Sequence, residues 1–409
     1  MTFSTFARRG AASLAFLALA VPASAQPSFT ASIGRALNSF SEEAAAESRQ
    51  STAARIDVEQ RAADRRLRLF YELDAGSYTT PGDWSYYLHR AGATWRLGGA
   101  TDAGRPSSSA LFAGGTLSWR SNGTSWTAAN YRALGLFANL QRQTSPASTF
   151  RAGYRFDVRD FPDSSQLDQR EHDLFTSFLI SFPTRTTLIV EAHAGAKDYR
   201  GGLLTVETDV SLPPGATTSQ RGRGPGGMGP AFRWTAMRAE QTDGALSGQV
   251  TVLGRVAQSL ADRTGVTVQY TRRASFGDLP SVIVTTPALF FEDGIYDDPF
   301  ASQAHVVRAT AKHVRPGGLE VEMTALWMGK DYRGAKALDL EGNERPSGDL
   351  REDRIWRSGA SLSIPLLPRK TGPLGLALDA DYWFTRHRSN DLFYSYRSHR
   401  VGVGVTVTY

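Results

Sequence analysis

The chain carries seven histidines: His89, His172, His193, His305, His313, His387 and His399. A metal centre needs ligands at a set spacing, and none of them sits in a His-x-x-x-His pattern beside a glutamate. Cysteine is absent, which removes thiolate ligands, disulfides and a cysteine for lipid attachment. One group has the residue types for acid–base work. Glu191 and His193 lie two apart, and Asp173 falls on the preceding stretch. The same three residues serve equally as a hydrogen-bonded structural histidine. Asp379 and Asp381 put two carboxylates on one face of a strand, two of the several oxygens a cation shell requires. The glycine-rich run Gly222–Gly229 lacks the strand-to-helix setting of a phosphate cradle. The sequence therefore predicts no cofactor, no metal and no enzyme, with an outer-membrane hydrolase as a distant third reading.

The charged residues gain meaning from their period. From Arg66 onward the period changes to two, as in Leu67, Leu69, Tyr71 and Leu73 against Arg66, Arg68, Phe70 and Glu72. Such alternation puts apolar side chains on one face of a strand and polar ones on the other. Further stretches follow at 85–97, 108–120, 130–142, 148–159, 171–183, 186–199, 246–258, 264–273, 303–315, 318–330, 353–366, 373–387 and 397–409. With the first, they make about fourteen strands of roughly 10–15 residues, long enough to cross a thin bilayer at a tilt. Connections alternate as well. Thr144–Ala147, Pro183–Arg185, Leu260–Arg263, Pro316–Gly317 and Pro368–Gly372 are short, whereas Gly201–Gly244, Ser275–Phe300 and Asp331–Asp349 are long. Gly98–Ser107 fits that alternation least well.

Residues 26–64 differ from the rest. Glu42-Glu43-Ala44-Ala45-Ala46-Glu47 is built of good helix formers, and Ile33, Leu37, Phe40 and Ala44 recur at helical spacing. This predicts a short helical N-terminal segment, either periplasmic or a plug in the barrel mouth; a loosely ordered linker is the other reading. Residues 1–25 have the pattern of a secretory signal: Arg8 and Arg9, an apolar run from Ala11 to Val21, and Ala23-Ser24-Ala25 for cleavage after Ala25. Beyond it no apolar run approaches the roughly 20 residues of a membrane helix. The net charge of +6, about +4 without Arg8 and Arg9, is too small to argue for nucleic acid.

The last strand alternates without a break: Val401, Val403, Val405, Val407 and Tyr409 against Gly402, Gly404, Thr406 and Thr408. It resembles the C-terminal strand of bacterial outer-membrane β-barrel proteins, which ends on an aromatic residue. The resemblance covers roughly residues 65–409. It implies an all-β antiparallel transmembrane barrel in the Gram-negative outer membrane, and recognition of the C-terminal strand ending at Tyr409 by the barrel-assembly machinery. It also implies contact with outer-membrane lipid and lipopolysaccharide, the latter suggested for Arg221 and Arg223.

On this reading the apolar rows face lipid and the charged rows face a wet lumen, because Arg or Lys at the bilayer midplane costs about 2–4 kcal/mol. The expected lumen residues are Arg90, Arg96, Arg120, Arg151, Arg155, Arg159, Arg255, Arg308, Glu320, Glu322, Asp379 and Asp381. Arg66, Arg68 and Lys312 join the basic set. Trp84, Tyr87, Trp95, Trp119, Tyr131, Trp327 and Tyr409 suit interfacial girdles. Closure of fourteen strands would set the acidic late strands beside the basic early ones. That resembles the opposed walls of general porins, whose transverse field orients polar solutes; a salt-bridge network filling the lumen is the other reading. Two functions follow. One is a porin-like passive channel for small polar or anionic solutes. The alternative is a plugged barrel for secretion, assembly or surface anchoring, with residues 27–64 binding a periplasmic partner.

Overall fold

The computed structural model describes residues 26–42, 46–62, 66–78, 85–98, 109–123, 127, 129–199, 246–277, 299–338, 344–367, 374–391 and 394–409. Alternation dictates strands, and every strand is antiparallel to both neighbours. In chain order they are β1 (Gln26–Glu42), β2 (Ala46–Arg61), β3 (Leu67–Tyr78), β4 (Tyr86–Leu97), β5 (Ser109–Asn122) and β6 (Tyr131–Ser145). Next come β7 (Ser148–Asp160), β8 (Gln169–Phe182), β9 (Thr186–Tyr199), β10 (Leu246–Ala261) and β11 (Thr264–Gly277). The ring is completed by β12 (Ser302–Val314), β13 (Glu320–Lys336), β14 (Leu350–Leu367), β15 (Gly375–Ser389) and β16 (Tyr396–Thr408). Each pairs with its sequence neighbours, and β1 pairs with β16, so the sheet closes. Closure leaves no strand edge, the condition for β structure to span a bilayer. At the joint Phe29 and Tyr409 exchange two backbone hydrogen bonds of 3.0 and 2.8 Å.

The strand number corrects the expectation of about fourteen: the described residues form sixteen strands. The two additional strands are β1 and β2, in the segment expected to be helical. Ile33 and Leu37 are four apart, an even spacing that a two-residue period satisfies as well as a helix does. Arg35 stands between them on the outer face, breaking the apolar row. On β2 the alternation is plain, Arg55, Asp57, Glu59 and Arg61 against Ile56 and Val58. Tertiary pairing overrides the helix propensity of Ala, Glu and Arg here. The hairpin also separates β3 from β16, so the first and last strands of the expected fourteen are not neighbours. Ala44, the signal stretch 1–25, Trp84, Arg221 and Arg223 lie outside the described residues.

The outer face is apolar. Leu117, Leu174, Val268 and Met323 are each more than half exposed. In water such a belt would be a liability; against lipid it is the expected solvent contact. Short turns join strands at the end that carries both chain termini. One is the Arg315–Leu319 turn, where Gly317 and Gly318 adopt φ of 96° and 89° that disfavour any side chain. Most connections at the opposite end, which we call the outer end, are longer; the three residues between β1 and β2 are an exception there, as the long stretch 98–108 between β4 and β5 is at the first end. Trp327 and Trp356 are register partners on the outer face, and Trp95 and Tyr409 stand near the other end. Tyr131, expected in a girdle, instead faces inward and packs with Leu88 and Phe161. Its register partner Arg120 is also an inward residue, and that fixes its face.

Candidate functional site: the charged lumen

Register assigns each expected lumen residue to a face. Arg90 on β4 is opposite Glu72 on β3, and its guanidinium lies 3.3 Å from Glu72 and 3.5 Å from Asp74. Arg55 of β2 joins this group, 2.9 Å from Asp57 and 3.9 Å from Asp74. A second group centres on Arg155, 2.9 Å from Asp157, 3.5 Å from Glu171 and 3.9 Å from Asp173. Lys312 meets Glu320 at 2.5 Å. Arg400 lies 3.9 Å from Asp381, and Thr406 donates to Asp379 at 2.6 Å. These are partly wet ion pairs, each worth roughly 0–1 kcal/mol to stability. They order the lumen charges more than they hold the barrel shut.

Other arginines make different contacts. Arg120 is buried, lies over the Tyr86 ring and donates to Asn122 at 2.9 Å. Arg159 stacks over Tyr131 at 4.8 Å. Arg96 is paired in register with Phe112 on the inner face. Arg255 donates to Gln269 at 2.9 Å, Arg308 is paired in register with Leu326, and Arg151 lies between Gln141 and Ser177. Among the described residues Arg151, Arg255 and Arg308 have no carboxylate within 4 Å, and neither does Glu322 have a cation. Glu322 sits on β13 and Asp379 on β15, on the wall beyond Arg308. Arginines without a carboxylate partner thus lie on β7, β10 and β12, with Glu191 on β9 between them meeting no cation but His193, at 4.0 Å, and Glu322 follows on β13.

Small residues make a bare strip where the barrel closes. Gly34, Ala36, Ala53, Gly402 and Gly404 floor a recess of about 350 Å³. Arg55 and Asp74 border it on one side, and Asp379, Asp381 and Arg400 on the other. A Cβ at Gly402 would meet the Asp381 carboxylate, which lies over this strip.

Near the outer end the lumen is filled rather than bare. A 3-10 turn, Pro299–Ala301, folds inward so that Phe300 lies over Gly195 and near the Lys197 ammonium, 5.7 Å from the ring centre. On the β13–β16 wall Asp353 is fully buried. Arg351 donates to it at 3.0 and 2.6 Å, Tyr332 donates at 3.3 Å, and His387 Nε2 lies 3.1 Å away. The Arg351 guanidinium is held between the Tyr332 and Tyr394 rings, 4.5 and 3.2 Å from their centres. Withdrawal from water pushes the phenol of Tyr394, in the β15–β16 connection, up to about 12. None of this cluster was singled out from the sequence. Arg351-x-Asp353, a charge pair on one strand face, was the available signal.

The group with acid–base residue types does assemble. His193 Nδ1 is 3.2 Å from Asp173, and its other nitrogen is 4.0 Å from Glu191. Asp173 is shared with Arg155, and the Ser177 hydroxyl donates to Glu191 at 3.3 Å. Among the described residues no hydroxyl hydrogen-bonds to His193, so no nucleophile is aimed at the imidazole. The described residues also contain no cluster of three or more His, Asp or Glu able to hold a metal.

No family model matches the chain, and no curated protein matches it in sequence. Solved structures resemble it at low identity. Acinetobacter baumannii OccAB1 has a TM-score of 0.45 at 9% identity, covering 94% of this chain and 96% of that one. Pseudomonas aeruginosa OprD has 0.43 at 9%, covering 94% and 95%. Pseudomonas aeruginosa OpdL has 0.44 at 10%, covering 95% and 99%. The lumen is read from its own geometry. A closed antiparallel ring, an apolar outer belt and a charged interior make this chain a β-barrel of the outer-membrane type.

Proposed function

We propose that the protein is a porin-like passive channel of the outer membrane for small polar solutes, with a preference for anions. The observation that carries this reading is the uneven neutralisation of the lumen. Arg151, Arg255 and Arg308 lack carboxylate partners, whereas Arg55, Arg90, Arg155 and Lys312 are each matched by one. A small anion passing the β7–β12 wall meets guanidinium donors without displacing a carboxylate. Glu322 and Asp379 give the opposite wall its sign and orient a dipolar solute. The bare strip at the joint leaves room beside these charges. Export by the signal at residues 1–25 and insertion through β16 and Tyr409 belong to the same reading, supported by the outward row Val401, Val403 and Val405.

The plugged-barrel alternative relied on a free N-terminal segment, and residues 26–42 and 46–61 are barrel wall. Single-channel recording of the refolded mature protein in a planar bilayer tests the proposal. Steady conductance is expected, with a reversal potential on the anion side that moves towards cations in R151Q/R255Q/R308Q. No conductance from folded barrel, or a reversal potential unchanged by the triple substitution, overturns it.

A further inference from the structure

Four tyrosine–histidine pairs recur on the outward face at every fourth strand. Tyr71 hydroxyl is 2.8 Å from His89 Nδ1, Tyr154 is 2.5 Å from His172, Tyr270 is 2.8 Å from His305, and Tyr382 is 2.9 Å from His399. The tyrosines lie on β3, β7, β11 and β15 and the histidines on the strands that follow. In every pair the histidine is the register partner of the residue two beyond the tyrosine, one step nearer the outer end. Tyr71 and His89 are buried, whereas Tyr154, Tyr270 and Tyr382 are exposed on the outer wall, where amphipathic rings suit the headgroup region.

What stands above each pair differs. Over Tyr154 and His172 the outward residues are Val158, Asp160 and Arg170, of mixed sign. Over Tyr382 and His399 they are Arg386, Arg388 and Arg397. Arg386 and Arg397 are direct register partners, an arrangement that like charges make unfavourable. The charges acting on Arg386 are those of Arg388 and Arg397. Among the described residues none of the three has a carboxylate within 4 Å. Neighbouring Arg354 is different, being matched by Asp331 at 3.0 Å and Glu352 at 3.5 Å.

We infer that Arg386, Arg388 and Arg397 bind the phosphate groups of an outer-leaflet phosphoglycolipid of the lipid A type, whose acyl chains lie on Phe384, Tyr382 and Val401. Guanidinium forks match phosphate oxygens in pairs, and a dianionic group between three of them relieves their repulsion. The apolar and aromatic residues just below on the same face fit a lipid and not a free anion. The inference rests on the outer-membrane orientation given above, not on the lumen being open.

Native mass spectrometry of the refolded full barrel with bis-phosphorylated lipid A, dephosphorylated lipid A and inorganic phosphate tests it. The protein is expected to retain bis-phosphorylated lipid A and to lose roughly tenfold or more in affinity when the lipid lacks phosphate or in R386Q/R388Q/R397Q. R132Q/R170Q, which removes outward charge elsewhere on the rim, should bind as the unmodified chain does. Equal binding by the triple variant, equal binding of dephosphorylated lipid, or binding of inorganic phosphate without lipid A overturns the site. Heat-dependent gel mobility reports folding. If the triple variant does not fold, R397Q should weaken binding and R397K should restore part of it, and no difference between them overturns the inference. A barrel that binds lipid A but passes no current would sink the channel and leave this site standing.

Discussion

Two groups of charges in this lumen use the same residue types to opposite ends. Around Arg155 an arginine faces Asp157, Glu171 and Asp173 in a half-open setting, with its side chain about half exposed. Around Arg351 an arginine faces Asp353 with both partners out of water. In the first, solvent weakens each attraction and leaves the charge visible to a passing ion. In the second, desolvation makes every missing partner costly and hides the charge from the lumen. Burial, not residue identity, therefore separates the part of the wall that filters from the part that braces.

The largest expected effect comes from removing the buried carboxylate. Asp353→Ala leaves Arg351 charged and unpaired and should cost roughly 3–5 kcal/mol of stability. The urea midpoint for loss of heat-modifiable gel mobility measures this, and a loss below about 1 kcal/mol would erase the contrast. The next effect is alkaline. Because the Tyr394 phenol is raised to about 12 in the folded barrel, the folded state holds that proton longer than the unfolded chain does. Its stabilisation is complete below about pH 10 and lost as pH rises towards 12. The thermal midpoint should fall across that window less steeply in Tyr394→Phe.

Arg155→Gln sharpens the other side of the comparison. It should change stability by no more than about 1 kcal/mol, yet it uncovers Asp157 and Asp173 and should move the bilayer reversal potential towards cations. A large stability loss with unchanged selectivity would place Arg155 with the brace. The smallest effect belongs to a pair outside both groups. Asp262→Asn breaks the 2.8 Å contact with Arg185 at a turn where Asp262 is almost fully exposed. It should shift the unfolding midpoint by less than about 0.5 kcal/mol and leave conductance unchanged.

Much of the ring was legible because period-two alternation is a local property. The alternation of Phe150, Ala152 and Tyr154 with Arg151 and Arg155 sets their faces whatever the neighbouring strand is. β1 was not legible, because Arg35 interrupts its outer row and small residues make its inner one, and β2 was hidden by the helix-forming composition of the stretch around residues 42–47. Partners were harder still. That Arg155 reaches Asp173, or that Asp353 meets His387, depends on the stagger between strands, which no single strand encodes. The tyrosine–histidine pairs left a fainter trace. Three of them lie 17 or 18 residues apart, a spacing that alignment of successive hairpins would have exposed.

Among the described strands, the mutual hydrogen bonds between Phe29 and Tyr409 close the one pairing that does not join sequence neighbours. Every other pairing joins strands that follow one another, so contact order is low around the ring and concentrated at this one joint. The folded ring has no preferred origin, whereas the folding chain does. The costliest single loop closure is the one that brings the first strand and the last together. A circular permutant that tethers these two strands and opens the Arg315–Leu319 turn keeps the same wall. It shifts that costliest closure to β12 and β13, and the barrel's slow step moves with it.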